Sequence, residues 1–325
     1  MTRELEIEAF LDRAGWSNAR RLPLAGDAGN RRYERLADPI QGSAILMDAV
    51  PKLGEDIRPF LKIAQHLTDC EISSPEIFSH NISLGLILMQ DFGDELLYKV
   101  ANESPHLELR LYRIAIDALR ELHKSPPPKE VSNYLAPEMA QASATTLLWY
   151  CDEGLSEKIG LEVENSLRSL DWSNPVLVLR DYHAQNLVYR NEQTGIAQMG
   201  VLDFQDAQLG HPLYDATSLI HDARRSLDLS VVNLLVKELA EHYNGRDDFK
   251  YAFAAISAQR NLRILGVFSR LCLRDGKPNY LNLIPHVWKN LWKDLSHPRL
   301  SGLNDVCKNL PTPSAEFLEG LKQNA

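Results

Sequence analysis

The sequence predicts an α+β protein of two lobes: a small lobe with an antiparallel sheet and a larger, mainly helical lobe. Short apolar segments separated by turn residues fill the N-terminal part of the 325-residue chain. The remainder repeats apolar residues at the three- and four-residue spacing of helices. A cluster of turn-forming residues at 90–94 separates the two patterns. We therefore place the lobes at 1–91 and 92–325.

Each element follows from its local pattern. In the small lobe, alternating apolar residues predict strands, and apolar residues on one helical face predict helices. The predicted order is helix 3–14, turn 22–30, strands 32–36 and 44–48, helix 55–68, and strands 77–78 and 84–89. In the large lobe it is helices 106–123, 137–150 and 154–170, strands 176–179, 187–189 and 199–202, and helices 213–227, 230–244, 249–273 and 280–294.

Composition excludes several classes of protein. The net charge of −9 argues against a general nucleic-acid binder, which needs a basic excess, and against a polybasic membrane anchor. The four cysteines are dispersed, which is typical of a reducing cytoplasm. The N-terminus is acidic and the apolar runs are short, so neither a signal peptide nor a membrane span is expected.

Three polar residues form a candidate catalytic site. Asp181 follows a buried strand, Asn186 comes five residues later, and Asp203 ends the next apolar strand pair. An amide oxygen and a carboxylate are hard ligands that suit Mg²⁺, and a further carboxylate can orient a hydroxyl. An Asp and an Asn at this spacing are common in turns, but the strand-borne Asp203 favours a kinase-type phosphotransferase.

The segment from Asp181 to Leu187 resembles the catalytic loop of the aminoglycoside phosphotransferase and choline kinase superfamily. More closely, the whole chain is similar to the bacterial anomeric kinases of N-acetylmuramate and N-acetylglucosamine. The matching segments are 26–28, 31–33, 46–49, 86–93, 200–206, 214–215, 222–225, 259–266 and 274–278. The resemblance implies a two-lobed, protein-kinase-like fold, with a nucleotide-binding lobe at 1–91, a catalytic and substrate-binding lobe at 92–325, and ATP between them.

The resemblance also implies roles for individual residues. Asp181 would orient or deprotonate the acceptor hydroxyl, and Asn186 and Asp203 would hold Mg²⁺. The turn 26–30 would cover the ATP phosphates, and the hinge 90–92 would bind adenine through backbone atoms. The expected cofactor-binding residues are Gly26, Asp27, Ala28, Gly29, Asn30, Arg32, Gln90, Asp91 and Phe92.

The third-strand lysine that usually contacts the phosphates is absent, and residues 46–48 stand near its expected place. Arg31, Arg32 and Arg35 on the neighbouring strand are the candidates to replace it. Which of them contacts the phosphates stays open at this point.

Four further residues are candidates for the acceptor site: His183, Gln185, Asp206 and Arg224. For each we weigh a plainer role. His183 could brace the loop through a hydrogen bond, Asp206 could be a turn residue, and Arg224 could lie on a solvated helix face. We expect Asp215 to brace the catalytic loop.

The resemblance thus predicts a cytoplasmic, monomeric kinase that uses ATP and Mg²⁺ to phosphorylate the anomeric hydroxyl of an amino sugar in cell-wall recycling. It implies no nucleic-acid or membrane partner. Two alternatives stay open: a kinase of another small alcohol, such as an aminoglycoside or choline, and a non-catalytic nucleotide-binding module. The sequence leaves the acceptor, its anomer and the oligomeric state undecided.

Overall fold

A computed structural model describes residues 2–24, 30–243, 245 and 248–323. The predicted phosphate-covering residues Gly26 to Gly29 lie outside these ranges. The chain divides into two compact units, one formed by 1–128 and 185–207 and the other by 129–184 and 208–325. This division does not coincide with the boundary predicted at residue 91. The assignment of nucleotide binding to 1–91 and catalysis to 92–325 stays a prediction.

The first unit contains a five-stranded sheet, its flanking helices and a small hairpin. Its helices are α1 (Arg3–Arg13), α2 (Arg58–Asp69), α3 (Leu97–Glu103) and α4 (Glu108–Leu122), with 3₁₀ turns at Pro51–Leu53, Pro105–Leu107 and Gly195–Gln198. Its strands are β1 (Arg20–Leu24), β2 (Arg32–Asp38), β3 (Gly42–Asp48), β4 (Ile77–Asn81), β5 (Leu86–Gln90), β7 (Leu187–Tyr189) and β8 (Met199–Val201).

The five-stranded sheet has the order β1-β2-β3-β5-β4, and all of its pairings are antiparallel. The β2–β3 hairpin turns at Asp38, whose carboxylate accepts hydrogen bonds from the backbone N–H groups of Ile40 and Gln41. The turn closes at Gly42, whose φ of 86° favours glycine. Apolar residues of α1 cover one face of the sheet and form a core with Leu36 and Leu46.

The β7–β8 hairpin also belongs to the first unit. Its register pairs Leu187 with Val201, which brings the residues flanking the two strands together. On α2, the Phe60 ring lies 4.7 Å from the ring of Phe204, just after β8. This apolar contact fixes the chain next to Asp203.

The second unit is mainly helical. Its helices are α5 (Ala136–Leu147), α6 (Glu153–Arg168), α7 (Tyr214–Ile220), α8 (Leu229–Glu241), α9 (Phe249–Leu273), α10 (Ile284–Leu295), α11 (Ser301–Cys307) and α12 (Ala315–Gln323), with 3₁₀ turns at Pro278–Leu283 and Pro298–Leu300. Its strands β6 (Val176–Val178) and β9 (Gln208–Gly210) pair antiparallel.

Helix α9 lies at the centre of this unit, and most of its residues are buried. It begins at Asp248, whose carboxylate accepts a 2.8 Å hydrogen bond from the backbone N–H of Lys250. A Cβ built at Gly266 would lie 2.1 Å from the carbonyl oxygen of Thr146 in α5. Glycine at 266 therefore allows the two helices to pack at backbone contact.

The predicted elements match the structure with identifiable differences. Helix 249–273 is confirmed at both ends. The helix predicted over 213–227 ends at Ile220, because the following segment turns to make the hydrogen bonds of Asp222 described below. Helices α3, α11 and α12 and strand β9 were not predicted. Among the described residues, none of the helices combines the length and apolar character that a bilayer crossing requires.

Candidate active site

The backbone of the loop that carries Asp181 is held by a buried carboxylate. Asp215 at the start of α7 is 0% exposed, and its two oxygens accept hydrogen bonds from the backbone N–H groups of Leu179 at 2.6 Å and Arg180 at 2.9 Å. Arg180 has a φ of 70°, in the left-handed region that costs a non-glycine residue about 1 kcal/mol or more. The guanidinium of Arg180 lies 4.6 Å from the ring centre of Tyr134. These contacts hold the backbone that carries Asp181. The Asp181 side chain is half-buried.

The electrostatics of Asp215 reflect its burial. Burial raises the pKa of Asp215 to about 7, against the backbone hydrogen bonds and the charge of Arg260, which lower it. Asp181 adds a smaller upward contribution. The bracing role predicted for Asp215 agrees with these contacts.

A second buried carboxylate holds the other end of the loop. Asp222 is 2% exposed and accepts hydrogen bonds from the backbone N–H groups of Ala184 at 3.2 Å and Arg224 at 2.8 Å. The Arg224 guanidinium lies 3.2 Å from Nε2 of His183. Because a guanidinium can only donate, this nitrogen accepts and His183 is neutral. Burial, followed by the charges of Arg224 and Arg260, holds the pKa of His183 well below its usual range.

The two predicted metal ligands meet at the open end of the β7–β8 hairpin. The amide of Asn186 donates to one carboxylate oxygen of Asp203 at 3.3 Å, and Gln205 donates to the other at 2.7 Å. A backbone hydrogen bond of 2.9 Å from Leu202 to the carbonyl of Asn186 closes the hairpin here. Asp203 has a φ of 56°, a conformation that is uncommon outside glycine and often found at functional sites.

This donor set fits a magnesium ion that shares its coordination with a phosphate. Asn186 and Asp203 offer one amide oxygen and one carboxylate, and Mg²⁺ commonly takes one or two carboxylates and completes its shell with substrate phosphates and water. Within the described ranges, no group of three or more His, Cys, Asp or Glu side chains suited to a metal occurs. The residues therefore suit a metal that binds together with a nucleotide.

The predicted hinge is fixed on both sides by its side chains. Asp91 forms an ion pair with Arg35, with 2.7 Å between a carboxylate oxygen and Nε. The Phe92 ring lies 4.4 Å from the guanidinium carbon of Arg190, and it fills the space that a Cβ at Gly200 would enter at 2.6 Å. These contacts leave the backbone of residues 90–92 as a rigid edge following β5.

The structure also describes four other residues predicted for the site. Gln185 is half-buried and Asp206 is exposed, both in the first unit. Arg32 is 67% exposed and pairs with Asp48 at 2.8 Å. Asn30 donates to the carbonyl of Leu53 at 3.2 Å.

These features define a class of protein. Residues 21–252, most of the chain, match the phosphotransferase enzyme family, so the chain belongs to that family and is a small-molecule phosphotransferase. It is 32% identical to an N-acetylmuramate/N-acetylglucosamine kinase of Caulobacter vibrioides over 93% of this chain and 94% of the relative. It is 30% identical to the protein of the same name from Pseudomonas aeruginosa, over 91% of each chain.

A solved structure supports the fold. An aminoglycoside phosphotransferase of Streptomyces rimosus, in complex with ADP and streptomycin, matches with a TM-score of 0.54 and 16% identity over 79% of this chain and 99% of that one. The predicted family and the kinase-like fold class, with an antiparallel sheet in the N-terminal region and a mostly helical remainder, are confirmed.

Sequence reasoning missed Asp222 as a loop brace and considered it either as a sugar-binding residue or as part of a solvated helix face. The available signal was an acidic residue at the end of the apolar segment 213–223, which requires a buried partner. It also missed Tyr33 and Glu55, which contact Arg31. No local pattern marks Glu55, because it lies far from Arg31 in the sequence, whereas Tyr33 is two residues from Arg31 and follows the alternation of the strand.

Proposed function

We propose that this protein transfers the γ-phosphoryl group of Mg-ATP to the anomeric hydroxyl of N-acetylmuramate or N-acetylglucosamine, in the cytoplasmic recycling of cell-wall sugars. The observation that carries the proposal is the name shared by relatives at 30–32% identity over more than nine-tenths of the chain. Similarity over that share of the chain extends across both compact units.

Nucleotide use is supported by the family and by the ADP-bound neighbour. Asn186 and Asp203 would hold the metal ion, and the backbone of 90–92 would meet the adenine. When bound, Mg²⁺ neutralises charge on the phosphate oxygens and orients them for transfer. Since the chain carries a net charge of −9, we expect nucleotide binding to depend strongly on Mg²⁺, and EDTA to weaken it in calorimetry.

Asp181 would accept the hydrogen bond of the attacking hydroxyl and hold its oxygen in line with the γ-phosphorus. Transfer of this kind needs little covalent help from the protein, so positioning and charge stabilisation dominate. The clamp on the loop backbone by Asp215 and Asp222 supports this role, because it fixes the direction from which the Asp181 carboxylate acts.

The main alternative is a kinase of another small alcohol, such as an aminoglycoside or choline. Solved structures bearing those names resemble the chain at only 10–17% identity, which supports the fold alone. A panel of acceptors with Mg-ATP separates the possibilities. We expect N-acetylmuramate or N-acetylglucosamine to be consumed with loss of the reducing end, because a 1-phosphate has no free anomeric carbon. A product that keeps its reducing end would refute the anomeric assignment.

The Asp181→Asn variant tests the assigned role. We expect turnover to fall by about 10³-fold or more, since the carboxylate that orients the hydroxyl is lost, while Mg-ADP affinity stays within about threefold of the wild type. Wild-type turnover in this variant would remove Asp181 from the mechanism. A parallel loss of nucleotide affinity would instead indicate a misfolded loop.

A further inference from the structure

The place of the usual strand lysine is occupied by an acidic residue with its own partners. Asp48 ends β3, is 4% exposed, and pairs with Arg3 of α1 and with Arg32 of β2. Two arginines therefore neutralise one buried carboxylate. This part of β3 supplies no cation for a phosphate, so the positive charge must come from elsewhere.

Each of the three arginines on β2 and just before it has a different acidic partner. Arg35 pairs with Asp91 at 2.7 Å and with Asp94 at 2.8 Å, on the side of the hinge. Arg32 pairs with Asp48 at 2.8 Å. These contacts hold Arg35 beside the hinge and hold Arg32 beside the carboxylate that Arg3 of α1 also contacts.

Arg31 differs from the other two. Its Nε lies 2.7 Å from Oε2 of Glu55, just before α2, and both side chains are largely buried, at 22% and 16% exposed. Tyr33, two residues along on β2, lies close enough to interact with the same guanidinium. The ion pair with Glu55 and this neighbour restrict the position of the cation.

The neighbourhood of Arg31 is that of the predicted metal ligands. The charge of Asp206 lies close enough to affect Arg31, and that of Asp203 close enough to affect Tyr33. Burial and then the Asp203 carboxylate raise the pKa of Tyr33 to about 12. The geometry agrees, because Glu55 directly precedes α2, and Phe60 of α2 packs against Phe204 beside Asp203.

We propose that Arg31, held by Glu55 and Tyr33, is the residue that binds the nucleotide phosphates in place of a strand lysine. Glu55 engages Nε, and a guanidinium has four further N–H donors on its two Nη atoms, arranged to match phosphate oxygens. Because the side chain is already fixed, little rotamer entropy is lost when a phosphate binds. This inference rests on the proposed function and names a residue for one part of it.

The test is the affinity of four proteins for Mg-ADP and for adenosine, measured by calorimetry without any sugar. In Arg31→Gln we expect Mg-ADP to bind about 10- to 100-fold more weakly, the loss typical of one charge-assisted contact, while adenosine binds as in the wild type. Glu55→Gln should show a smaller loss of about three- to tenfold, because it frees the guanidinium without removing it.

Arg58→Gln is the matched control. Arg58 is an arginine three residues after Glu55, 72% exposed and paired with Asp56, so it undergoes the same charge change outside the cluster. We expect its Mg-ADP affinity within about twofold of the wild type. Adenosine binding and thermal unfolding report whether each variant is folded.

Two outcomes overturn the inference. One is an Arg31→Gln variant that binds Mg-ADP as tightly as the wild type. The other is a variant that loses adenosine and Mg-ADP together, which assigns Arg31 a purely structural role. Failure of the proposed function can be distinguished from failure of this inference. A wild-type protein that binds Mg-ADP but phosphorylates no sugar would refute the proposed function and leave the role of Arg31 intact.

Discussion

Replacing Asp215 by asparagine separates the structural effect of the loop brace from its catalytic effect. In the wild type one carboxylate receives two consecutive backbone N–H groups, at 2.6 and 2.9 Å. Asparagine keeps one acceptor oxygen and turns an NH₂ group toward the second donor. A buried N–H without an acceptor costs about 1–3 kcal/mol. The loop before Asp181 should shift, and we expect kcat to fall about 10²-fold, the loss that a misplacement of about 1 Å causes.

The pH dependence of stability gives a second readout. Burial raises the pKa of Asp215 from 3.8 to about 7. The native state therefore binds this proton more tightly than the unfolded state, and stability falls as pH rises through that interval. With these pKa values, the contribution of Asp215 to the free energy of unfolding of the wild type falls by about 2 kcal/mol between about pH 5.5 and pH 8. Asparagine does not titrate, so Asp215→Asn should be more destabilising at the lower pH.

Urea denaturation of both proteins at the two pH values measures this difference directly. Asp294→Asn is the control, because burial also raises the pKa of Asp294 to about 7, while its partners are Ser257, Asn261 and His221 rather than the loop backbone. It should show the same sign of pH effect with kcat within about threefold of the wild type. A destabilisation by Asp215→Asn that grows with pH would refute the reasoning, since it would mean that the hydrogen bonds outweigh burial and lower the pKa.

Two further predictions concern close backbone approach. In Gly200→Ala the new methyl would lie 2.6 Å from the Phe92 ring. We expect the free energy of unfolding to fall by about 1–3 kcal/mol and the KM for ATP to rise several-fold. An unchanged KM would show that the position of Phe92 does not affect nucleotide binding. In Gly266→Ala the methyl meets the backbone of Thr146 at 2.1 Å, and the cost should be about 3 kcal/mol or more. Gly320→Ala in α12, where the described residues outside the helix backbone leave open space around the new methyl, should instead stabilise by up to about 1 kcal/mol, and thermal unfolding compares the pair.

The sequence pattern was sufficient for elements with long or clearly separated apolar runs. Helix α9 was predicted at its observed ends, although it is buried almost throughout and therefore has no single apolar face. The strand pair β7–β8 was predicted because a turn-rich segment separates two apolar runs. Short elements such as β9 carry too few residues for any periodicity and depend on a partner strand distant in sequence.

The candidate site was predictable to the extent that its chemistry lies in one segment. Asp181, Asn186 and Asp203 could be identified because their spacing has a chemical reason. The positive φ angles of Arg180 and Asp203 were not predictable, since neither residue type favours that region strongly enough to signal it. The distinction between Arg31 and Arg32 also required the structure, because their partners, Glu55 and Asp48, are distant in sequence.

The clamp on the catalytic loop acts on main-chain atoms alone: Asp215 holds the N–H groups of Leu179 and Arg180, and Asp222 holds that of Ala184. Every amino acid except proline supplies such a group. The half-buried side chain of Gln185 can therefore be exchanged without loss of these backbone contacts, whereas the buried Tyr182 and His183 also contribute packing. For protein engineering, this means that substitutions at 185 can be explored while the backbone of the loop is retained.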